Sequence, residues 1–139
     1  MSRQFTTFTV AGARYGIDVL RVQETLRAQT RTTVPLAPPG IAGLVNLRGQ
    51  VVMLLDLRAR LGLEPLASDA EPMMIVVQVG DEPISLLVDE IGDVVDAEDE
   101  QFEMPPDTLP SALRGVILGA YKLEHDLLRA LDIDRATAA

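Results

Sequence analysis

The chain has 139 residues, which suffices for one domain or for two small subdomains that share a core. Its 47% apolar and 24% charged residues are typical of a soluble globular protein, and the net charge of −9 with a single lysine argues against nucleic-acid binding. The absence of cysteine excludes disulfides, thiolate catalysis and zinc–thiolate sites.

The sequence also predicts where the protein resides. The N-terminus lacks the apolar core of a signal peptide, and no apolar run is long enough to span a bilayer. We therefore expect a soluble, cytoplasmic protein without direct membrane insertion.

Charge is distributed unevenly along the chain. Residues 1–63 carry eight arginines and three acids, whereas residues 64–139 carry four bases and eighteen acids. The run 89–103 holds eight acids and no base. Such a division can steer a partner or order an assembly in which opposite poles meet. Equally, acidic loops can simply keep a small apolar protein soluble.

Short strand-like runs separated by turn signals begin at the N-terminus. Strands are predicted at residues 5–10 and 14–18, on either side of a turn at Gly12. The apolar spacing in residues 19–26 fits either a helix or a strand. Residues 32–40, which hold three prolines, are predicted to form an extended connector.

A turn that holds Arg48 and Gly49 leads into a central apolar strand at residues 51–57. An arginine in a tight turn beside a strand presents a fixed fork of donors at the surface, and glycine permits the positive φ that such a turn needs. Asp56 is predicted to cap a short helix that ends at Gly62.

The second half continues the strand pattern. Residues 73–79 and 84–88 predict a hairpin, and residues 91–95 predict another strand. Residues 115–123 follow, and residues 126–133 have a spacing that fits either a helix or a strand. Many short strands with turns about every ten residues predict an all-β barrel or sandwich.

The chain offers little for catalysis. Its one histidine, His125, lies in a polar stretch typical of a solvated surface, and none of the four serines has the context of a nucleophile elbow. Glycine-rich phosphate loops and the spacing of an EF-hand are absent. We predict no enzyme, no metal site and no cofactor.

Four blocks of the sequence closely resemble the CheW family of bacterial chemotaxis coupling proteins. The blocks occur in the family's order, at residues 15–24 (YGIDVLRVQE), 43–49 (GLVNLRG), 51–58 (VVMLLDLR) and 87–89 (LVD). The resemblance covers residues 4–134 and implies one all-β domain. That domain would consist of two small five-stranded SH3-like β-barrel subdomains, packed side by side with strand exchange, plus short helices. It also implies a strand at 126–133 and a C-terminal tail at 135–139.

The resemblance implies a non-enzymatic signalling adaptor. Such a protein couples chemoreceptors (methyl-accepting chemotaxis proteins) to a CheA-type histidine kinase and supports receptor control of kinase autophosphorylation. Its partners are the kinase regulatory domain and the cytoplasmic hairpin tip of the receptors, in membrane-associated arrays. The alternative is a CheW-like paralogue that binds receptor or kinase in another motility or regulatory pathway without coupling them.

The resemblance also implies the partner-contacting positions. They are Val22, Glu24, Gly43, Leu47, Arg48 and Gly49 for coupling and kinase or receptor contact, and Met74, Ile91 and Val94 near the groove associated with receptor binding.

Each of these positions has a plainer interpretation as well. Glu24 and Arg48 are expected to form an ion pair, which either braces a contact surface or is an ordinary surface salt bridge. Val22 and Leu47 are apolar and fit a core position equally well, and the glycines fit turn geometry alone. Two residues depart from the family pattern: Met53 stands where proline is usual, and Ser85 where glycine is common.

Overall fold

The computed structural model describes residues 2–28, 31–33, 35–37, 40–66, 70–105 and 107–138. Within these ranges the chain forms twelve strands, three short α-helices and two turns of 3-10 helix, at Val19–Arg21 and Asp99–Gln101. The strands are β1 (Ser2–Val10), β2 (Ala13–Asp18), β3 (Val22–Arg27), β4 (Arg31–Thr32), β5 (Ile41–Leu47), β6 (Gln50–Asp56), β7 (Met73–Val79), β8 (Glu82–Val88), β9 (Glu90–Glu98), β10 (Phe102–Glu103), β11 (Ile117–Lys122) and β12 (Leu127–Leu131). The helices are α1 (Leu57–Arg60), α2 (Ser111–Arg114) and α3 (Ile133–Thr137).

The strands form two sheets of six strands each. The first has the order β10-β11-β12-β2-β1-β9 and the second β3-β7-β8-β6-β5-β4. The N-terminal hairpin thus joins the later strands of the chain, because β12 pairs in parallel with β2, and β9 pairs antiparallel with β1. We call the first sheet with α2 and α3 the first subdomain, and the second sheet with α1 the second subdomain. The predicted all-β fold with two strand-exchanging subdomains and short helices is confirmed; each sheet has five longer strands and one two-residue edge strand, β10 or β4.

One apolar cluster joins the two subdomains, and we call it the shared cluster. It takes Phe8 and Ile17 from the first subdomain and Ile75 and Leu86 from the second, all completely buried. Two smaller inner clusters lie within the subdomains, one around Tyr121 and Leu128, the other around Val45, Val52, Leu54 and Met74. The largest cluster draws on both sheets, so the subdomains share one core.

Strand β6 shows why the central run of the sequence is apolar without alternation. Leu55 belongs to the shared cluster, while Val52 and Leu54 belong to the inner cluster of the second subdomain. Successive residues of a strand point to opposite faces, so a strand with a core on each face carries apolar residues at successive positions.

In the two segments of ambiguous spacing, strand pairing decides for a strand, and capping residues mark where the strand gives way to a helical turn. Residues 19–26 begin with the 3-10 turn, where the Asp18 side chain accepts a hydrogen bond from the Leu20 amide at 3.0 Å, and then continue as β3. The predicted strand at 126–133 is confirmed for Leu127–Leu131 but is wrong at Ile133, which begins α3. There the Asp132 carboxylate accepts a hydrogen bond from the Arg135 amide at 3.1 Å.

Helix α3 also takes in residues that the sequence assigned to a tail. Residues 135–137 lie in this helix, and Ala136 is completely buried in the shared cluster. The predicted connector at 32–40 includes residues 34, 38 and 39, which lie outside the described part of the chain. Of its other residues, Thr32 ends β4 and the remainder belong to no helix or strand.

The predicted cap of α1 is confirmed. The Asp56 carboxylate accepts hydrogen bonds from the backbone amides of Arg58 at 3.0 Å and Ala59 at 3.4 Å. Gly62, just beyond the helix, has a φ of 74°, as a glycine that ends a helix commonly does. This short helix places two arginines, Arg58 and Arg60, beside the first subdomain.

Ser85 in β8 provides a test of core packing. It is completely buried, and its hydroxyl oxygen has no hydrogen-bond partner in the structure. An unpaired buried hydroxyl costs about 1–3 kcal/mol. We expect Ser85→Ala to raise the free energy of unfolding by about 1 kcal/mol in denaturant titrations.

Thr7→Val is the matched control for Ser85→Ala. The Thr7 hydroxyl is also buried, but it donates a hydrogen bond to the carbonyl oxygen of Asp93 at 2.5 Å. Its removal is therefore expected to lower the free energy of unfolding by about 1 kcal/mol. Destabilisation by Ser85→Ala would contradict the claim that the buried Ser85 hydroxyl lowers the free energy of unfolding.

Candidate partner-binding site

Arg48 and Gly49 form the two-residue turn between β5 and β6. Leu47 pairs with Gln50 at the end of the ladder, and φ is positive at both turn residues, 53° at Arg48 and 84° at Gly49. This is the pattern of a type I′ hairpin turn. The Asn46 side chain accepts a hydrogen bond from the Gly49 amide at 2.9 Å and holds the turn closed. The predicted tight turn around an arginine is confirmed.

Arg48 is an unfavourable residue for this turn. Type I′ turns favour asparagine, aspartate or glycine at the first central position, because other side chains are strained at positive φ. The Arg48 side chain is 79% exposed, so burial does not offset that strain. Strained residues that a fold retains are concentrated at functional positions.

Strand β3 presents Glu24 to this turn through a bulge. Val22 pairs with Val77 and Glu24 pairs with Val76, so Gln23 is an extra residue in the ladder. One extra residue reverses the faces to which the following side chains point. Val22 therefore packs against the shared cluster, whereas Leu26 packs against the inner cluster of the second subdomain.

Glu24 and Arg48 form the predicted ion pair, with two hydrogen bonds in a fork. The Arg48 Nη2 donates to Glu24 Oε1 at 2.9 Å, and Nη1 donates to Oε2. These hydrogen bonds hold the pKa of Glu24 below its ordinary value, so the carboxylate remains ionised at neutral pH. Because β3 is an edge strand and β5 and β6 lie towards the opposite edge, the pair joins two distant parts of a curved sheet.

In the first subdomain, Ile91 and Val94 lie on edge strand β9. Ile91 pairs with Phe8 and Val94 pairs with Thr6. Residues directly opposite in a ladder share a face, so both point to the side of the sheet that carries the shared cluster. Ile91 packs against that cluster, and Val94 remains 54% exposed. Val22 packs against the same cluster from the second subdomain, so these apolar residues border the junction of the subdomains.

The remaining predicted positions lie in or against the core of the second subdomain, or where two of its strands approach closely. Met74, predicted to lie near the groove associated with receptor binding, is completely buried in the inner cluster of the second subdomain. Leu47 is half-buried against the same cluster. Gly43 has a φ of 146°, and a Cβ there would lie 2.5 Å from the carbonyl oxygen of Thr32.

Leu20 was not singled out from the sequence but is conspicuous in the structure. It lies in the 3-10 turn two residues before Val22 and is 89% exposed. The signal that could have indicated this exposure is Asp18, because a cap at this position ends the strand and leaves the next apolar residues in a turn.

The surroundings of His125 and of the acidic side chains bear on catalysis and metal binding. His125 is an exposed surface residue with Glu124 as its neighbour, 3.7 Å away. Among the residues that the structure describes, no group of three or more His, Cys, Asp and Glu side chains is arranged to hold a metal ion. Within the same residues, no helix has the length and apolar character needed to cross a bilayer.

Comparisons with known proteins show what the chain is similar to. A family model described as CheW-like domain matches residues 4–139. The chain is 33% identical to the chemotaxis protein CheW of Bacillus subtilis, over 90% of this chain and 80% of that protein. It is 29% identical to the chemotaxis protein CheW of Klebsiella aerogenes, over 97% of this chain and 81% of that protein. The crystal structure of the scaffolding protein TtCheW from Thermoanaerobacter tengcongensis has a TM-score of 0.83 at 25% identity, covering 94% of this chain and 89% of that one.

Proposed function

The chain belongs to the CheW-like domain family, and from this premise we propose that it couples chemoreceptors to a CheA-type histidine kinase. It is a non-catalytic chemotaxis adaptor, as indicated by its relatives named chemotaxis protein CheW and by its similarity to the structure of a scaffolding protein. The proposed coupling takes place on the cytoplasmic side of membrane-associated receptor arrays. There the adaptor would contact the kinase regulatory domain and the hairpin tips of the receptors.

The observation that carries this proposal is the position of Arg48. The arginine occupies a strained turn position, is mostly exposed and is oriented by Glu24 through a two-bond fork. An oriented guanidinium on a rigid hairpin is suited to protein recognition, in which arginine is enriched at the residues that contribute most to affinity. The geometry of the turn by itself gives no reason for an arginine at this place.

Apolar residues at the junction of the subdomains support the second half of the proposal. Val94 and Leu20 expose apolar surface, and Val22 and Ile91 lie against the shared cluster. A helical hairpin binds by placing apolar side chains against such a surface, which requires apolar anchors more than charge. The proposed adaptor therefore has a polar contact on the second subdomain and an apolar contact at the junction.

Reconstitution tests the proposal directly. Membranes that carry chemoreceptors are mixed with a CheA-type kinase, with and without this protein, and kinase autophosphorylation is measured as attractant is added. We expect attractant to change kinase activity only when the protein is present. The same response without the protein would refute the coupling role.

Sedimentation of the same mixture distinguishes the alternative. A coupling adaptor brings the kinase down with receptor membranes, whereas a paralogue that only binds one partner sediments with receptors, or remains with the kinase, without forming the three-component complex. Binding to one partner with no effect on kinase control would favour that alternative.

A further inference from the structure

The chain passes between the two sheets twice, and an arginine is bound at each passage. The first passage is the 3-10 turn Val19–Arg21, between β2 of the first sheet and β3 of the second. The second is Asp89, between β8 of the second sheet and β9 of the first. At both places the arginine contacts join segments that belong to different subdomains.

At the second passage, Asp89 is held on two sides. Its carboxylate accepts two hydrogen bonds from Arg58 of α1, from Nε at 2.9 Å and from Nη2 at 2.6 Å. It also accepts one from the backbone amide of Ala11, in the β1–β2 turn, at 2.8 Å. Both charged side chains are only 16% exposed. The carboxylate thus ties α1 of the second subdomain to a turn of the first.

The Asp89 carboxylate is held in its ionised form near neutral pH. The hydrogen bonds from Arg58, more than the one from Ala11, hold the pKa of Asp89 below its ordinary value. A depressed pKa means that the contribution of the pair is present at neutral pH and is lost only as the pH falls through the lowered pKa.

Two further arginines bind helix α3 of the first subdomain. At the first passage, Arg21 donates from Nε to the carbonyl of Gln78 in β7 at 3.1 Å and from Nη2 to Asp134 in α3 at 2.8 Å. From α1, Arg60 Nε donates to the carbonyl of Ala136 at 2.8 Å, at the last turn of α3. Such bonds satisfy carbonyls that a helix end leaves unpaired.

These arginine contacts give the junction of the subdomains a directional restraint, which the shared cluster does not provide. The hydrophobic effect is non-directional, so burial alone defines the angle between the sheets less sharply than a directional contact does. A two-bond arginine–carboxylate fork fixes both distance and orientation. Among these contacts, the Arg58–Asp89 pair is the one that forms a two-bond arginine–carboxylate fork, and its side chains are less exposed than those of the Arg21–Asp134 pair.

We propose that Arg58 and Asp89 are positioning residues that fix the orientation of the first subdomain relative to the second. This orientation sets the spacing between Arg48 on the second subdomain and Val94 on the first. The functional consequence rests on the proposed coupling role: a loosened junction would weaken complexes that need both contacts at once more than complexes that need one.

Spin-label distance measurements test the positioning claim without any partner. The chain has no cysteine, so cysteines introduced at Asp81 and Glu100, one exposed site in each subdomain, can be labelled specifically. Asp89→Asn is expected to broaden or shift the distribution of distances between the labels. Arg58→Lys, which keeps the charge but loses the fork, is expected to have a smaller effect in the same direction.

The control is Asp126→Asn, the same chemical change within one subdomain. Asp126 pairs with Arg14 at 3.1 Å, and both residues belong to the first subdomain. This variant is expected to retain the parent's distance distribution. An unchanged distribution in Asp89→Asn would overturn the proposal. If Asp89→Asn does not fold, the same measurement is made on Arg58→Lys. A distance distribution equal to that of the parent would then overturn the proposal.

The reconstituted mixture of receptors and kinase tests the consequence for binding. Asp89→Asn is expected to lose three-component sedimentation while it retains binding to the kinase alone. A broadened distance distribution with unchanged sedimentation would overturn the link to binding. If the parent itself fails to couple, the proposed function fails, and the distance measurement still decides whether the pair positions the subdomains.

Discussion

Replacing Arg48 with asparagine is expected to uncouple the kinase from the receptor without making the protein less stable. Asn–Gly is the preferred sequence of a type I′ turn, so the variant relieves the strain at φ 53°. It also removes an exposed guanidinium, and arginines at the centre of interfaces commonly contribute enough for their loss to weaken binding about 30-fold. Coupling assays should show the loss, and thermal unfolding should show a midpoint equal to or above that of the parent.

Arg27→Ala serves as the matched control. Arg27 is also an exposed arginine of the second subdomain and lies 4.0 Å from Glu71. Exposed pairs of this kind contribute little to stability, and Arg27 is not among the predicted contact positions. Its replacement should leave both kinase control and unfolding unchanged. Normal coupling in Arg48→Asn would contradict a contact role for Arg48.

Exchanging the charges distinguishes a contact role for Arg48 from a bracing role. In the double variant Glu24→Arg with Arg48→Glu, the ion pair can form again, but the turn no longer presents a guanidinium. If Arg48 contacts a partner, coupling stays low, and this is the expected result. Recovery of coupling would show instead that the pair only fixes β3 to the turn.

Gly43→Ala is expected to destabilise the protein by about 3 kcal/mol, from positive-φ strain and steric overlap together. The φ of Gly43 is 146°, and the added Cβ would lie 2.5 Å from the Thr32 carbonyl oxygen, a distance that requires β4 to move. Urea titration measures the loss directly. Any coupling defect in this variant would then follow from unfolding or from displacement of β4.

Gly49→Ala separates the steric contribution from backbone strain. Gly49 has a φ of 84°, but a Cβ there would have no neighbour within 4 Å. We expect a loss of about 1 kcal/mol, from strain alone. If Gly43→Ala and Gly49→Ala lost the same free energy of unfolding, the close approach of β4 would not be the reason why position 43 requires glycine.

The acidic run acquires a structural explanation in the fold. Glu90, Asp93, Asp96 and Glu98 are exposed along β9, and in the described sheet this strand pairs only with β1. Charged side chains on an edge strand discourage the pairing of that edge with other chains. This explanation agrees with the plainer interpretation of the run, in which the charges keep a small apolar protein soluble.

Much of the local structure followed from the sequence. The Asp56 cap, the hairpin of β7 and β8 and the tight turn at Arg48 depend on neighbouring residues, so their patterns were sufficient. The Glu24–Arg48 pair, expected by way of the family resemblance, also formed. The segment at 126–133 remained ambiguous because one apolar spacing fits both a strand and a helix; pairing with β11 and β2 decides for the strand.

Met74 shows the limit of this reasoning. An apolar residue in an apolar strand carries no sign of which of two cores it faces. The placement of β7 decides it: Ile75 and Val77 face the shared cluster, so Met74 faces the inner cluster of the second subdomain. Leu26 of β3, which pairs with Met74, reaches the same cluster because a bulge at Gln23 reverses the faces of the β3 residues that follow it, and such a bulge has no signature in the sequence.

Charge shows most clearly what only the tertiary structure decided. Along the sequence, the basic first part and the acidic second part are separate. In the fold, the described residues before β3 and after β8 form the first subdomain, with seven bases and fourteen acids, and those from β3 to β8 form the second, with five bases and six acids. The sequence by itself determined the strands, the turns and the residues able to make contacts, because these depend on local pattern. Strand exchange decided which charges and contacts share a subdomain, because the pairing of β1 with β9 and of β2 with β12 joins residues that are far apart in the chain.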